Sequence, residues 1–125
     1  MMERTAIFKS VLEQEQGPVV LCDLEHTILY MNPAAVSRYA PFGGAALVGK
    51  NLMGCHNPAS GEKILQVLQW FEASPENNRV HTYYNEGENK DVYMVALRNE
   101  AGTLIGYYEQ HLYRNRDMTP LYEMK

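Results

Sequence analysis

Two rhythms of apolar and polar residues divide the chain. Between residues 3 and 16, Ile7, Phe8, Val11 and Leu12 recur at spacings of one, three and four, which gathers them on one side of a 3.6-residue helix, while Glu3, Lys9, Glu13 and Glu15 occupy the rest. Gly17-Pro18 ends that helix. The same rhythm returns in EKILQVLQWFEA (62–73), with Ile64, Val67, Leu68 and Phe71 on one face and Leu65 and Trp70 widening it; this helix is expected to pack hard against a sheet and to close at Ser74-Pro75. From Arg79 the period becomes two. RVHTYYNE, DVYMVALR and TLIGYYEQHLYR read as strands rich in Val, Thr and Tyr. The connections Gly87-Glu88-Asn89-Lys90 and Asn99-Glu100-Ala101-Gly102 have hairpin length, so the three are antiparallel neighbours. In the middle strand Val92, Met94 and Ala96 share one face and Tyr93, Val95 and Leu97 the other, which predicts helices on one side of the sheet and another element or subunit on the other.

Between these regions the elements are shorter. PVVLCD and ILYMN form a first hairpin with Asp23 initiating its turn. Asn32 suits the N-cap of the next short helix and Pro33 its first turn, and Pro41 with Gly43-Gly44 ends it. A helical turn is expected through Ala46 to Val48, broken at Gly49, and Asn57 or Ser60 is expected to cap the long helix. The last dozen residues turn polar, carry Pro120 and lead outward.

A chain of 125 residues fits one domain with one core, large enough to fold without disulfide or metal staples. The expected division is an N-terminal amphipathic helix (1–16), the domain proper (17–113) and a polar tail (114–125). Hydrophobic residues make up 46% and charged residues 21%, which describes a folded chain and excludes disorder throughout. A net charge of -4 with scattered Lys and Arg gives a phosphate backbone nothing to hold, so no nucleic acid is expected. No segment has the length of a membrane span and the first residues are charged, so the expectation is no membrane, a cytoplasmic setting, and Cys22 and Cys55 as reduced thiols.

The order helix, two strands, short helices, a longer helix and three strands, with the strings VVLCDLEHTILYMNPAAVSRYA, LVGKNLMGCHNPAS and AGTLIGYYEQHLYR, resembles the PAS family over residues 17 to 113. It is most similar to the branch with a Cys-His-Pro-Pro type signature before the long helix, sometimes found beside hemerythrin-like domains. The resemblance implies an α+β fold: a five-stranded antiparallel sheet in the order 2-1-5-4-3, with helices on one face enclosing a small pocket. It places Asp23 in the first hairpin, Asn32-Pro33 at a helix cap, Gly49-Lys50 before a short helix and Gly102 in the last hairpin. It further implies a module that senses a ligand, binds heme or flavin, or dimerises. This chain departs from the signature at Asn57, and GCHNP does not match the Asn-Cys-Arg-Phe string of the light-sensing flavin group, so covalent flavin photochemistry is not expected.

Candidate chemistry is sparse. Cys55-His56 is the one adjacent pair of soft ligand atoms; either side chain could ligate heme iron, although adjacent residues rarely meet one metal together. The blander alternative makes Cys55 a buried small hydrophobe and His56 a satisfied polar residue at a helix entrance. Paired cysteines at zinc spacing are absent. His26 is read as solvent-facing, and His81 and His111 as residues that could face each other across the sheet. Tyr83, Tyr84, Tyr93, Tyr107, Tyr108 and Tyr113, with Trp70 and Phe71, either wall a cavity for an apolar or planar ligand or divide between core and interface. The candidate ligand-binding set is Cys55, His56, Trp70, Tyr83, Tyr93 and Tyr107, with no catalytic and no metal residues assigned.

These residues carry three functional readings. The first is a sensory or regulatory module that binds a small molecule or cofactor, heme or a small organic ligand, and signals to a separate partner protein. The second is a ligand-free homodimeric interaction module, joined through Ile7, Phe8, Val11 and Leu12. The third is a small thiol-dependent enzyme using Cys55 with His56 or a distant histidine as base. No G-x-S-x-G, HExxH or phosphate-cradling loop supports an enzyme.

Overall fold

The change of rhythm at Arg79 coincides with the start of the sheet's larger half. In a computed structural model, which describes residues 3–122 with the side chain of Cys55 excepted, three strands follow that point: β3 (Arg79–Asn85), β4 (Lys90–Arg98) and β5 (Leu104–Tyr113). The earlier hairpin supplies β1 (Val19–Asp23) and β2 (Ile28–Met31). Residues 1, 2 and 123–125, at the outer ends of the expected helix and tail, lie outside the described residues. All five strands join one antiparallel sheet in the order β2-β1-β5-β4-β3, the order the resemblance implies.

The centre of the sheet depends on close backbone approach. β1 lies against β5 with Val19 opposite Gln110 and Asp23 opposite Gly106. A Cβ on Gly106 would run into the Cys22 carbonyl, so glycine is what lets these strands reach ladder distance there.

Register assigns the two faces. Val20, Cys22, Ile28, Met31, Met94, Tyr107, Glu109 and His111 share the inner face with Val92 and Ala96, whereas Leu21, Tyr93, Val95, Tyr108 and Gln110 point outward. Tyr93 and Val95 stay only half-buried, consistent with the alternation read along the middle strand.

Helices cover the inner face. α2 (Pro33–Arg38) starts at Asn32, whose Oδ1 accepts from the Ala35 amide at 2.9 Å, and α3 (Pro58–Ala73) starts at Asn57, whose Oδ1 accepts from the Ser60 amide at 2.8 Å. Between them lie three 3-10 turns, Ala40–Phe42, Gly44–Leu47 and Leu52–Cys55, separated by Gly43 and Gly49 in left-handed conformations. Phe71 is fully buried and Ile64 nearly so, with Val67 and Leu68 packed beside them. Each large apolar side chain so buried contributes about 1.5–3 kcal/mol.

Asn32 and Arg98 tie the layers together. The Asn32 side chain is completely buried: Oδ1 also accepts from the Val19 amide at 2.9 Å, and Nδ2 donates to the carbonyls of Gly17 at 3.0 Å and Leu12 at 3.1 Å, with Glu15 at 3.5 Å. The first helix, α1 (Arg4–Gln14), is held by this amide at its end while none of its residues is buried. Arg98 reaches from the sheet to the end of α3 and donates to the carbonyls of Phe71 at 2.7 Å, Ser74 at 3.1 Å and Asn77 at 3.1 Å. It supplies the positive charge that the last turn of α3 itself lacks.

The structure corrects several expectations. Leu65 and Trp70 do not widen the buried face of α3; both are more than two-fifths exposed, because they project to either side of the stripe. Lys90 is the first residue of β4 and only 1% exposed, not part of the connecting loop, and its ammonium lies 3.3 Å from Glu88. His81 and His111 do not face each other: β4 separates their strands, and their partners Tyr93 and Val92 point to opposite faces. His26 is half-buried, not solvent-facing.

Candidate functional site

The inner face of the sheet and the short helices do not fill the space between them. A cavity of about 390 Å³ remains, within the range of small-molecule sites. Apolar side chains from both layers make most of its wall, among them Val20, Ile28, Met94, Leu47 and Ile64, and Phe42, largely exposed, stands at its border.

Polar groups enter from β5 and its surroundings. Glu109 stands in the middle of the sheet, flanked by Val20 on β1 and Met94 on β4. Its Oε1 accepts from the Tyr39 hydroxyl at 2.8 Å and from His111 Nε2 at 2.6 Å. Burial works to raise the Glu109 pKa, but the hydrogen bond from His111, that imidazole's proximity, the Tyr39 hydroxyl and nearby His56 outweigh it, so the carboxyl is held below the usual glutamate range. Tyr39 is pushed up, first by burial and then by the Glu109 charge, and remains a phenol.

Two residues further back, Tyr107 forms a second polar group. Its hydroxyl shares a 2.8 Å hydrogen bond with His26 Nδ1, the rings meeting edge to face. The hairpin puts His26 there by giving it a left-handed backbone, φ 68°. Cys22, opposite Tyr107 on β1, is 1% exposed. Burial pushes its thiol up to about 11 against the lowering influence of a hydrogen bond with Tyr107. On the helical side, His56 Nδ1 donates to the Leu52 carbonyl at 3.0 Å.

Of the residues singled out from the sequence, the cavity brings together His56 and Tyr107. Trp70 lies on the exposed flank of α3, Tyr83 on the exposed edge strand, and Tyr93 on the outer face, stacked on His81 with the Arg79 guanidinium 3.9 Å from its ring; none of the three lines the cavity. The side chain of Cys55 lies outside the described residues. Glu109, Tyr39, Cys22 and His26 were not singled out as ligand contacts. The signal for Glu109 was present in the strand's own parity: a residue two away from both Tyr107 and His111 must share their face. Tyr39 gave no such signal, since a tyrosine after a short helix has no periodicity to read. Among the described residues no group of three or more His, Cys, Asp or Glu could hold a metal ion.

Sheet order, helical cover and cavity together define the PAS fold. No family model matches the sequence, and no curated protein does. The solved structures that resemble it include the PAS domain of a protein from Colwellia psychrerythraea, at 15% identity and TM-score 0.64 over 94% of this chain and 98% of that one. The PAS domain of BvgS from Bordetella pertussis superposes with TM-score 0.59 at 17% identity, covering 90% of this chain and 88% of its own. The Aer2 receptor from Vibrio cholerae, described as a dual PAS-heme oxygen sensor, matches with TM-score 0.56 at 21% identity over 79% of this chain and 95% of that one.

Proposed function

We propose that this chain is a sensory module of the PAS type that takes a small, largely apolar molecule into the cavity between sheet and helices and passes its state to a separate protein. The cavity carries this reading: space of about 390 Å³ is kept open inside the core, with Glu109, His56 and Tyr107 converging on it. A packed interior ordinarily has few voids larger than a water molecule. The PAS neighbours from sensor proteins support the same role. Native mass spectrometry of the purified protein, before and after denaturing extraction, tests it. A bound small molecule lost on unfolding is the expected result, and an empty protein whose cavity residues respond to no compound in a fragment screen would overturn it.

Heme fits this cavity poorly. Glu109 puts a carboxylate among the lining residues, and no lysine or arginine is there to pair with the carboxylates that heme carries. A colourless protein is therefore expected, checked by its visible absorbance.

A second reading, a homodimeric interaction module, is favoured by one observation: Ile7, Phe8 and Val11 are 40%, 66% and 58% exposed along α1. In this reading they pack, with half-buried Leu12, on a second copy. Light scattering at micromolar concentration should then give a dimer, and Phe8→Glu with Leu12→Glu should give a monomer; a monomeric parent protein would remove the basis for it.

A further inference from the structure

The polar end of the cavity also indicates which chemistry it accepts. The hydrogen bonds that hold Glu109 in place both fall on Oε1. Oε2 has no hydrogen-bond partner among the described residues, yet it is not among the atoms sealed from solvent; 28% of the side chain stays accessible. Because Glu109 rises from the middle strand between Val20 and Met94, that accessible surface opens on the cavity it lines. A carboxylate oxygen facing an apolar space without a donor is costly, and a charged donor meets it with a short, strong hydrogen bond.

Resting on the sensory reading above, we propose that the ligand is a small apolar molecule carrying one protonated amine, its nitrogen donating to Glu109 Oε2 and its hydrocarbon part lying against Val20, Ile28, Met94 and Ile64. An acid would place like charges together. A neutral alcohol would donate one hydrogen bond to the carboxylate without bringing a positive charge of its own, and bind more weakly. Tyr39 and His111 then act as positioning residues, fixing the carboxylate so that its second oxygen is the one presented.

Three probes sharing one ring separate these cases: 2-phenylethylamine, 2-phenylethanol and phenylacetate, each titrated at about pH 7 into the isotope-labelled protein and followed through amide shifts of Cys22, Met94 and Glu109. The amine should bind about tenfold or more tightly than the alcohol, with the acid weakest. In Glu109→Gln the advantage of the amine over the alcohol should vanish, the amine losing far more affinity than the alcohol. Equal binding of amine and alcohol, tighter binding of the acid, or an undiminished amine preference in Glu109→Gln would overturn the proposal and leave the cavity as a site for other ligands. If none of the probes moves the cavity residues, this proposal fails, and the native mass spectrometry and fragment screen decide the sensory reading separately. Should Glu109→Gln not fold, the ranking of the three probes on the unaltered protein decides.

Discussion

Glu109 makes stability depend on acid. Its pKa is lower in the folded protein than in the unfolded chain, so between those two values the unfolded state binds more protons. The contribution is complete above the ordinary glutamate range, about pH 4.3, and is lost as pH falls through the folded value. Urea midpoints measured from about pH 6 down to about pH 3 should fall. In Glu109→Gln the fall should be shallower, the remainder coming from Asp91, Glu88 and Asp117, whose carboxyls are also held down. An identical slope in both proteins would refute the assignment. Cys22 gives a second readout. With its thiol pushed up by burial to about 11, thiolate is scarce near neutrality. In a Cys55→Ser background, iodoacetamide at about pH 8 should label Cys22 slowly until urea unfolds the chain, and fast labelling of the folded protein would contradict the burial described. Neither residue was singled out from sequence: parity alone puts Glu109 on the face of Tyr107 and His111, but which face lines the site depends on the pairing of β1 with β5, strands more than 80 positions apart. His56 and Tyr107 were among the residues singled out, His56 by its chemistry next to a cap and Tyr107 as one of several strand tyrosines whose facing the sequence left open.

At the scale of elements, the caps and periods were readable where local geometry decides them. Asn32-Pro33 and Asn57-Pro58 open α2 and α3 as their residue types require, and the alternation after Arg79 yields β3, β4 and β5. The end of α3 at Ala73, with Ser74 as its C-cap, also falls where Ser74-Pro75 was expected to close it; what could not be read is that Arg98, from another element, satisfies its last carbonyls. Replacing Arg98 with Ala should cost about 2–3 kcal/mol in urea denaturation, because three part-buried carbonyls lose a charged donor at once. Arg98→Lys should recover less than half, as an ammonium cannot span acceptors fixed in a guanidinium's plane. A loss below about 0.5 kcal/mol in the alanine variant would mean that water replaces the arginine. The face of α3 was read too broadly for a related reason: periodicity places Leu65 and Trp70 beside the stripe, but only the sheet's width fixes how many flanking positions are covered.

For the molecule as a whole, β5 is the keystone of the sheet. It alone joins the β1-β2 pair to the β3-β4 pair. Two-stranded hairpins are marginal in water by themselves. A chain ending at Gly102 should therefore lack dispersed amide resonances and melt without a cooperative transition, whereas a cooperative transition would show that the two halves hold together through the helices. Sheet order itself cannot be read from strand periods, which are indifferent to which strand neighbours which; here it came from the likeness of the whole string of elements to a known family.

Asn32 has one more consequence, which follows from the asymmetry of an amide. Its oxygen meets two N–H groups and its nitrogen meets carbonyls, so turning the group over would set oxygen against oxygen and nitrogen against nitrogen on every side. The bonds that Oδ1 makes elsewhere thus keep Nδ2 aimed at the Leu12 carbonyl, like a key that fits its lock in one sense only, and the leading helix finds its anchor already set whenever it settles on the sheet.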